Sequence, residues 1–148
     1  VSKPDITSPT RSATALVTAF LDAMGRLDAE EALALLSEDV VYQNVSLPAA
    51  RGKAAVAKQL RMFEKYLTGF EAINHRIVGD GDTVLTERTD VIQIGPFKAS
   101  FWVCGTFEVR DGQITLWRDY FDWGNLLAGS AAGAGRAALD LVRQLRRT

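Results

Sequence analysis

Apolar residues recur every three or four positions in the first half of the chain and at every second position in much of the remainder. Ala13, Leu16, Val17, Phe20, Leu21, Met24 and Leu27 fall at helical spacing and predict one long amphipathic helix from Ser12. Asp28-Ala29-Glu30-Glu31 has the form of a capping box. Asp28 is placed to accept from the backbone N–H groups that open a short second helix reaching Leu36. Ser37-Glu38-Asp39 then breaks the helix, residues 40–45 read as a strand, and 46–52, with Pro48, as a loop. A third helix runs from Lys53 to about Tyr66, with Val56, Leu60, Phe63 and Leu67 along one side.

After Thr68-Gly69 the period changes to two. Residues 70–78 read as a strand, Gly79-Asp80-Gly81-Asp82 as a hairpin turn, and 83–94 as the next strand. Gly95-Pro96 interrupts, 98–110 forms another strand, and Asp111-Gly112 turns the chain into a last strand over 115–122. Asp122 or Asn125 caps a final helix, which starts in a Gly/Ala/Ser-rich run and strengthens over 136–146. Helices first and hairpin-linked strands afterwards are the α+β layout: a curved antiparallel sheet with helices on one face. No repeat or low-complexity boundary divides the chain, so 1–148 reads as one domain. Residues 1–11 form a loose arm and 124–148 a C-terminal helical segment.

Composition narrows the chemistry. The 148 residues are 47% apolar and 24% charged, which is ordinary for a globular protein. A net charge of −1 argues against a nucleic-acid surface, which needs a basic excess. With one cysteine no intrachain disulfide can form, which fits a reducing compartment. No N-terminal run has a signal-peptide core and no uncharged apolar stretch would span a bilayer, so a cytoplasmic location is expected. His75 and Cys104 are the only histidine and thiol, leaving few parts for a zinc site or a nucleophilic triad. Carboxylates, tyrosines and arginines must carry any catalysis.

In the strand over 115–122, Trp117, Asp119 and Phe121 share a face, and Leu116, Arg118 and Tyr120 share the other. A carboxylate between two large aromatics is either a surface group or an interior acid with a displaced pKa. Tyr42 and Asn44 also share a strand face, as do Arg88 and Asp90, followed by Ile92. On the concave side of the sheet these would give one chamber with two aspartates, an arginine, a tyrosine and an asparagine. Met24, Phe63, Ile92, Phe101, Val103 and Phe121 would form its wall. A protonated carboxyl there can donate to a substrate oxygen while its ionised partner takes a proton from water held by Tyr42 and Asn44. Adding water to a strained ether needs those parts. The same spacing also accommodates a bland alternative: Arg88 and Asp90 as an exposed pair, Asp119 answering Arg118 or Lys98 at the surface, and Tyr42 and Asn44 ending a strand.

Three segments carry a resemblance. Val41-Tyr42-Gln43-Asn44 followed by Leu47-Pro48, then 85–90 (Leu-Thr-Glu-Arg-Thr-Asp), then 114–122 (Ile-Thr-Leu-Trp-Arg-Asp-Tyr-Phe-Asp) resemble the limonene-1,2-epoxide hydrolase family and its mycobacterial relatives. The resemblance runs in the same order from about Ala13 to Asp122. It implies a cone-shaped α+β fold of the nuclear transport factor 2-like, cystatin-like kind, with a curved antiparallel or mixed sheet and helices packed on one face. It also implies no cofactor, a small apolar epoxide and water as the reaction partners, and a homodimer. By position, Asp90 would be the acid for the epoxide oxygen, and Arg88 would lie between the carboxylates. Asp119 would be the base, holding water with Tyr42 and Asn44 for a single push–pull step. Phe101, Trp102 and Cys104 look more like the mycobacterial branch, which acts on bulkier lipid or steroid epoxides. Two other enzyme readings belong to the same fold, a ketosteroid-isomerase-like isomerase and a polyketide-cyclase-like enzyme. A lipid-binding dimer module without catalysis is the non-enzyme reading.

Other residues have plainer readings. A lone strand histidine, His75, is structural, and Cys104 beside Gly105 is a small buried side chain. Trp102, Trp117 and Trp123 pack rather than bind a cofactor. The arginines at 136, 143, 146 and 147 belong to a solvated helix face or a dimer contact.

Overall fold

The computed structural model describes residues 11–146, apart from the Trp123 side chain; the expected arm over 1–11 lies almost wholly outside that range. Ser12 accepts from the Ala15 N–H at 3.2 Å and caps α1 (Ala13–Gly25), whose Leu16, Val17, Phe20, Leu21 and Met24 are buried. The helix stops short of Leu27, which adopts a positive φ of 53° as the chain reverses. Asp28 accepts from the Glu31 N–H at 2.9 Å and opens α2 (Ala29–Ala34), two residues shorter than the pattern predicts.

The next two elements differ from expectation. Strand β1 (Leu36–Asn44) takes in Ser37-Glu38-Asp39, the triplet read as a break. Leu36 pairs in parallel with Ile114, and a register shift between Leu36 and Val41 accommodates the polar stretch. Leu36 and Val40 are buried while Glu38 and Asp39 face solvent, so burial of the flanking residues overrides the local breaker signal. Residues 46–52 are not all loop either. Within them β2 (Ala50–Arg51) pairs antiparallel with Val41 and Tyr42. Helix α3 (Lys53–Tyr66) follows as expected.

The remaining strands are β3 (Gly69–Asp80), β4 (Thr83–Ile94), β5 (Phe97–Arg110) and β6 (Gln113–Phe121). Their pairing leaves only two-residue connections at Gly81-Asp82, Gly95-Pro96 and Asp111-Gly112. Asp111 and Gly112 both have positive φ, 51° and 73°, the backbone that matches the twist of a tight hairpin. The strand order is β2-β1-β6-β5-β4-β3, parallel only between β1 and β6, so the curved sheet is mixed and the fold is α+β.

Side chains on the inner face divide the sheet lengthwise. Towards one end Phe20 of α1 meets Trp117 edge-on at 4.9 Å between ring centroids and Phe107 at 6.2 Å, filling the core. Towards the other, α1 and α3 leave a chamber between themselves and the strands. Among the described residues no helix is long and apolar enough to cross a membrane.

Helix α4 (Trp123–Leu145) is continuous through the Gly/Ala/Ser-rich run where a weak start was expected. Asp122 caps it, accepting from the Gly124 N–H at 2.8 Å. The glycines have a packing role: β6 ends opposite Val103, and α4 lies against the stretch of β5 that β6 leaves unpaired. Asn125 accepts from the Trp102 N–H and Arg136 donates to the Lys98 carbonyl, so the helix covers a strand edge that would otherwise be exposed. A Cβ at Gly129 would stand 2.6 Å from the Ser100 carbonyl oxygen, and one at Gly133 2.4 Å from that of Lys98. Gly133→Ala should therefore destabilise the protein by about 1–3 kcal/mol through overpacking. Gly135→Ala, which meets nothing within 4 Å, should stabilise it by roughly 0.5–1 kcal/mol through helix propensity. Urea denaturation of the two variants checks both signs, and equal effects would remove the packing argument.

Candidate active site

Strand register assembles the polar floor of the chamber in rows. Tyr42 lies beside Trp117 and Asn44 beside Asp119 across the parallel β1–β6 pair. Asp119 lies beside Gly105 on β5, and Gly105 beside Thr86 on β4. Arg88 and Asp90 follow Thr86 at period two on the same face. Arg88 must therefore cross β5 diagonally to reach Asp119, and Gly105 leaves it the space. A Cβ at Gly105 would stand 2.5 Å from Arg88 Nη1 and 3.0 Å from Asp119 Oδ1.

The arginine joins the two acids. Its Nε donates to Asp90 Oδ1 at 2.8 Å and its Nη2 to Asp90 Oδ2 at 3.1 Å. The same Nη2 donates to Asp119 Oδ2 at 2.8 Å, and Nη1 donates to Thr86 Oγ1 at 3.1 Å. Trp117 Nε1 also donates to Asp119 Oδ2, at 2.9 Å, whereas Asp119 Oδ1 is buried with no hydrogen-bond partner. Asn44 Nδ2 donates to the Tyr42 hydroxyl at 2.8 Å, and the Tyr42 ring stacks on Trp117 at 3.9 Å. Arg88, Asp90 and Asp119 are 1%, 5% and 4% exposed, which rules out the surface-pair alternative. Arg118, on the opposite face, instead donates to Gln43.

Burial sets the electrostatics. It pushes both Asp90 and Asp119 above the usual carboxylate range, and Arg88 offsets this without cancelling it. Burial works against the charge of Arg88, but the two carboxylates outweigh it and hold the guanidinium protonated. Burial and then the Asp119 charge raise the Tyr42 phenol well above its ordinary value, so its O–H remains a donor. The floor thus combines an obligatory cation, two acids that ionise reluctantly and a protonated phenol.

Above the floor is a cavity of about 240 Å³. All six expected wall residues, Met24, Phe63, Ile92, Phe101, Val103 and Phe121, line it, as do Tyr42, Asn44, Asp90 and Asp119. Arg88 lies beneath them rather than on the lining. Pattern reading missed Leu67, Phe70 and Leu126 in the wall, Thr86 behind Arg88, and the indole N–H of Trp117. Gly105 carried a usable signal, because a glycine inside a strand often marks a close approach. Of the three residues singled out near the wall, only Phe101 faces the chamber. Trp102 and Cys104 alternate outward on β5. Cys104 is half-buried rather than buried as expected, because it lies on the outer face of β5; what burial it has, then Glu87, push its thiol up, and His75 bonds Thr89 at 2.8 Å in the exposed bulge of β3. Among the described residues no three His, Cys, Asp or Glu side chains converge to ligate a metal ion.

A curved α+β sheet enclosing an apolar chamber over an acid–arginine–acid floor defines a small-molecule site on the nuclear transport factor 2-like fold. The chain belongs to the limonene-1,2-epoxide hydrolase family: the profile of the limonene-1,2-epoxide hydrolase catalytic domain matches residues 11–132. It is 49% identical over 117 residues to the epoxide hydrolase EphG of Mycobacterium tuberculosis (strain ATCC 25618 / H37Rv), covering 79% of this chain and 78% of that protein. A solved M. tuberculosis LEH-like epoxide hydrolase superposes with a TM-score of 0.81 at 45% identity, over 86% of this chain and 96% of that one. A Catenulispora acidiphila protein with a ketosteroid isomerase-like fold shares the fold alone, with a TM-score of 0.70 at 18% identity over 78% and 92% of the two chains.

Removing the guanidinium tests the floor. Arg88→Met leaves two carboxylates facing each other in a dry site and should cost about 3–5 kcal/mol at pH 7. Their folded pKa values, already raised, rise further without the cation. The stability linked to their protonation is present at low pH and lost as pH rises, so the deficit should shrink at pH 5. Denaturation at both pH values measures this; an equal deficit would mean that the carboxylates do not set the cost.

Proposed function

We propose that this chain hydrolyses an epoxide to a vicinal diol in one step by general acid–base catalysis. The observation that carries the reading is Arg88 tying two buried carboxylates together at the floor of a chamber they share with Tyr42 and Asn44. Asp90, lining the chamber and reluctant to ionise, is the acid that protonates the epoxide oxygen. Asp119 is the base. Tyr42 accepts from Asn44 and so has its own O–H free to donate to a water. That water can give one proton to the Asp119 carboxylate and direct the other to Asn44 Oδ1, which leaves one lone pair for attack. The lone pair forms the new C–O bond as the ring C–O bond breaks and the departing oxygen takes the Asp90 proton. The proton gained by Asp119 then returns to Asp90 to reset the pair. No electron transfer or group carrier enters, so the reading requires no cofactor.

The wall, apolar on all sides, favours an uncharged terpene, cyclic or bulkier lipid epoxide. A ketosteroid-isomerase-type site is disfavoured because its neutral donor pair would not accommodate a guanidinium bonded to both acids. Incubation with limonene oxide, cyclohexene oxide and a steroid epoxide should give vicinal diols. Asp90→Asn and Asp119→Asn should each lower kcat by roughly 10²–10⁴-fold or more with the fold retained. In labelled water a single turnover should label the diol directly; label appearing first in a protein carboxylate would exclude the one-step route. The pH profile of kcat/KM should be bell-shaped, with activity lost below as Asp119 protonates and above as Asp90 ionises. Both limbs should sit above the usual carboxylate range.

A homodimer through the outer face of the sheet completes the reading. Val78 and Leu85, directly paired, are 61% and 53% exposed there, and Trp102 and Tyr120 of the neighbouring strands are 45% and 42% exposed. Light scattering should give twice the 16.2 kDa chain mass, and Leu85→Glu should return it to one. A monomeric parent at micromolar concentration would exclude the dimer.

A further inference from the structure

The two oxygens of Asp119 are not equivalent. Oδ2 accepts from Arg88 Nη2 at 2.8 Å and from Trp117 Nε1 at 2.9 Å, while Oδ1 is buried and accepts from nothing. The terminal torsion of an aspartate is broad and close to two-fold, so a carboxylate held by one donor can exchange its oxygens at little cost. Arg88 is a shared donor. The Nη2 that reaches Asp119 also serves Asp90, so its hold on one oxygen of Asp119 is divided.

The indole supplies the undivided donor, and it is itself tightly held. It is 4% exposed, stacked on Tyr42 at 3.9 Å with 24° between the rings, and edge-on to Phe20 at 4.9 Å. Register accounts for the coupling. Trp117 and Asp119 are two apart on β6, and their partners on β1 are Tyr42 and Asn44. One rigid ring therefore touches the base through its N–H and packs against the phenol proposed to hold the water.

We propose that Trp117 is a positioning residue whose indole N–H, bonded to Oδ2, fixes the orientation of the Asp119 carboxylate and favours its ionised form. The inference rests on the hydrolysis reading above, in which Asp119 is the base. It makes the indole N–H, rather than the indole volume, the active feature. Packing alone would need only the ring.

The test separates the N–H from the ring. Trp117→Phe removes both the N–H and part of the volume. Site-specific replacement of Trp117 by β-(3-benzothienyl)alanine keeps the bicyclic shape and removes only the donor. In both, kcat for the diol-forming reaction should fall roughly tenfold or more, as expected for loss of a hydrogen bond to a charged group. In the benzothienyl variant KM should stay within about twofold, because the ring that lines the chamber keeps its shape and only the donor to the base is lost. The acidic limb of kcat/KM should move up by about one pH unit, since a donor favouring the ionised form is gone. A benzothienyl variant with parental melting temperature, kcat and acidic limb would overturn the inference. Asp119→Asn runs alongside. If it turns over at the parental rate, the hydrolysis reading falls. If it is inactive while the position-117 variants are unaltered, only the positioning role falls.

Discussion

A guanidinium held out of water between two carboxylates determines most of this structure. Burying either aspartate alone would be costly, and burying both without a cation would be worse. Arg88 donates three hydrogen bonds to the pair, so each acid has a partner, yet one positive charge cannot neutralise two negative ones. The charge-balanced state of the triad therefore carries one proton on a carboxyl. One protonated and one ionised carboxyl side by side are what charge balance favours in such a site. Trp117 breaks the symmetry by placing a fourth, neutral donor on Asp119, which favours ionisation there.

The sheet exists in the form that this triad needs. Arg88 and Asp119 stand on strands separated by β5, and a side chain on the intervening strand at that level would block the bridge. Gly105 is at that level. Residues on either side along the inner face are apolar and seal the triad: Phe107 and Trp117 towards the core, Val103 and Phe121 towards the chamber. Dryness raises the acids' pKa values, and the same dryness strengthens every hydrogen bond that orients them. Electrostatics and packing are one arrangement here.

How much of this is legible without coordinates follows from the range of each signal. Period two on β1, β4 and β6 places Tyr42, Asn44, Arg88, Asp90 and Asp119 on matching faces, because alternation is a property of a single strand. The hairpin turns join β3 to β6 in order, because Gly and Asp at a two-residue turn act locally. The parallel pairing of β1 with β6 has no local signal; it depends on Leu36 reaching Ile114 across the intervening helix α3 and the hairpins. For the same reason Ser37-Glu38-Asp39 looked like a break and proved to be a strand whose flanks are buried. Trp117 was visible as an aromatic on the correct face, but its N–H bond to Asp119 depends on a rotamer that spacing cannot supply. The glycines of α4 looked like poor helix formers because their compensation, close contact with the carbonyls of Lys98 and Ser100, comes from another element.

That last contact separates what the site does from what it admits. The floor is strand-borne, and its geometry follows from register, which cannot change by one residue without turning every side chain over. The wall is completed by Leu126, on a helix seated against β5 through Gly129 and Gly133. The family match ends at residue 132, inside that helix, so much of α4 lies beyond the region that defines the family. A displacement of α4 by the width of a methyl group would move Leu126 relative to Phe101 and Phe121 while leaving Arg88 and its two acids untouched. Chamber size can thus vary through helix seating while the acid–arginine–acid floor stays fixed by the sheet.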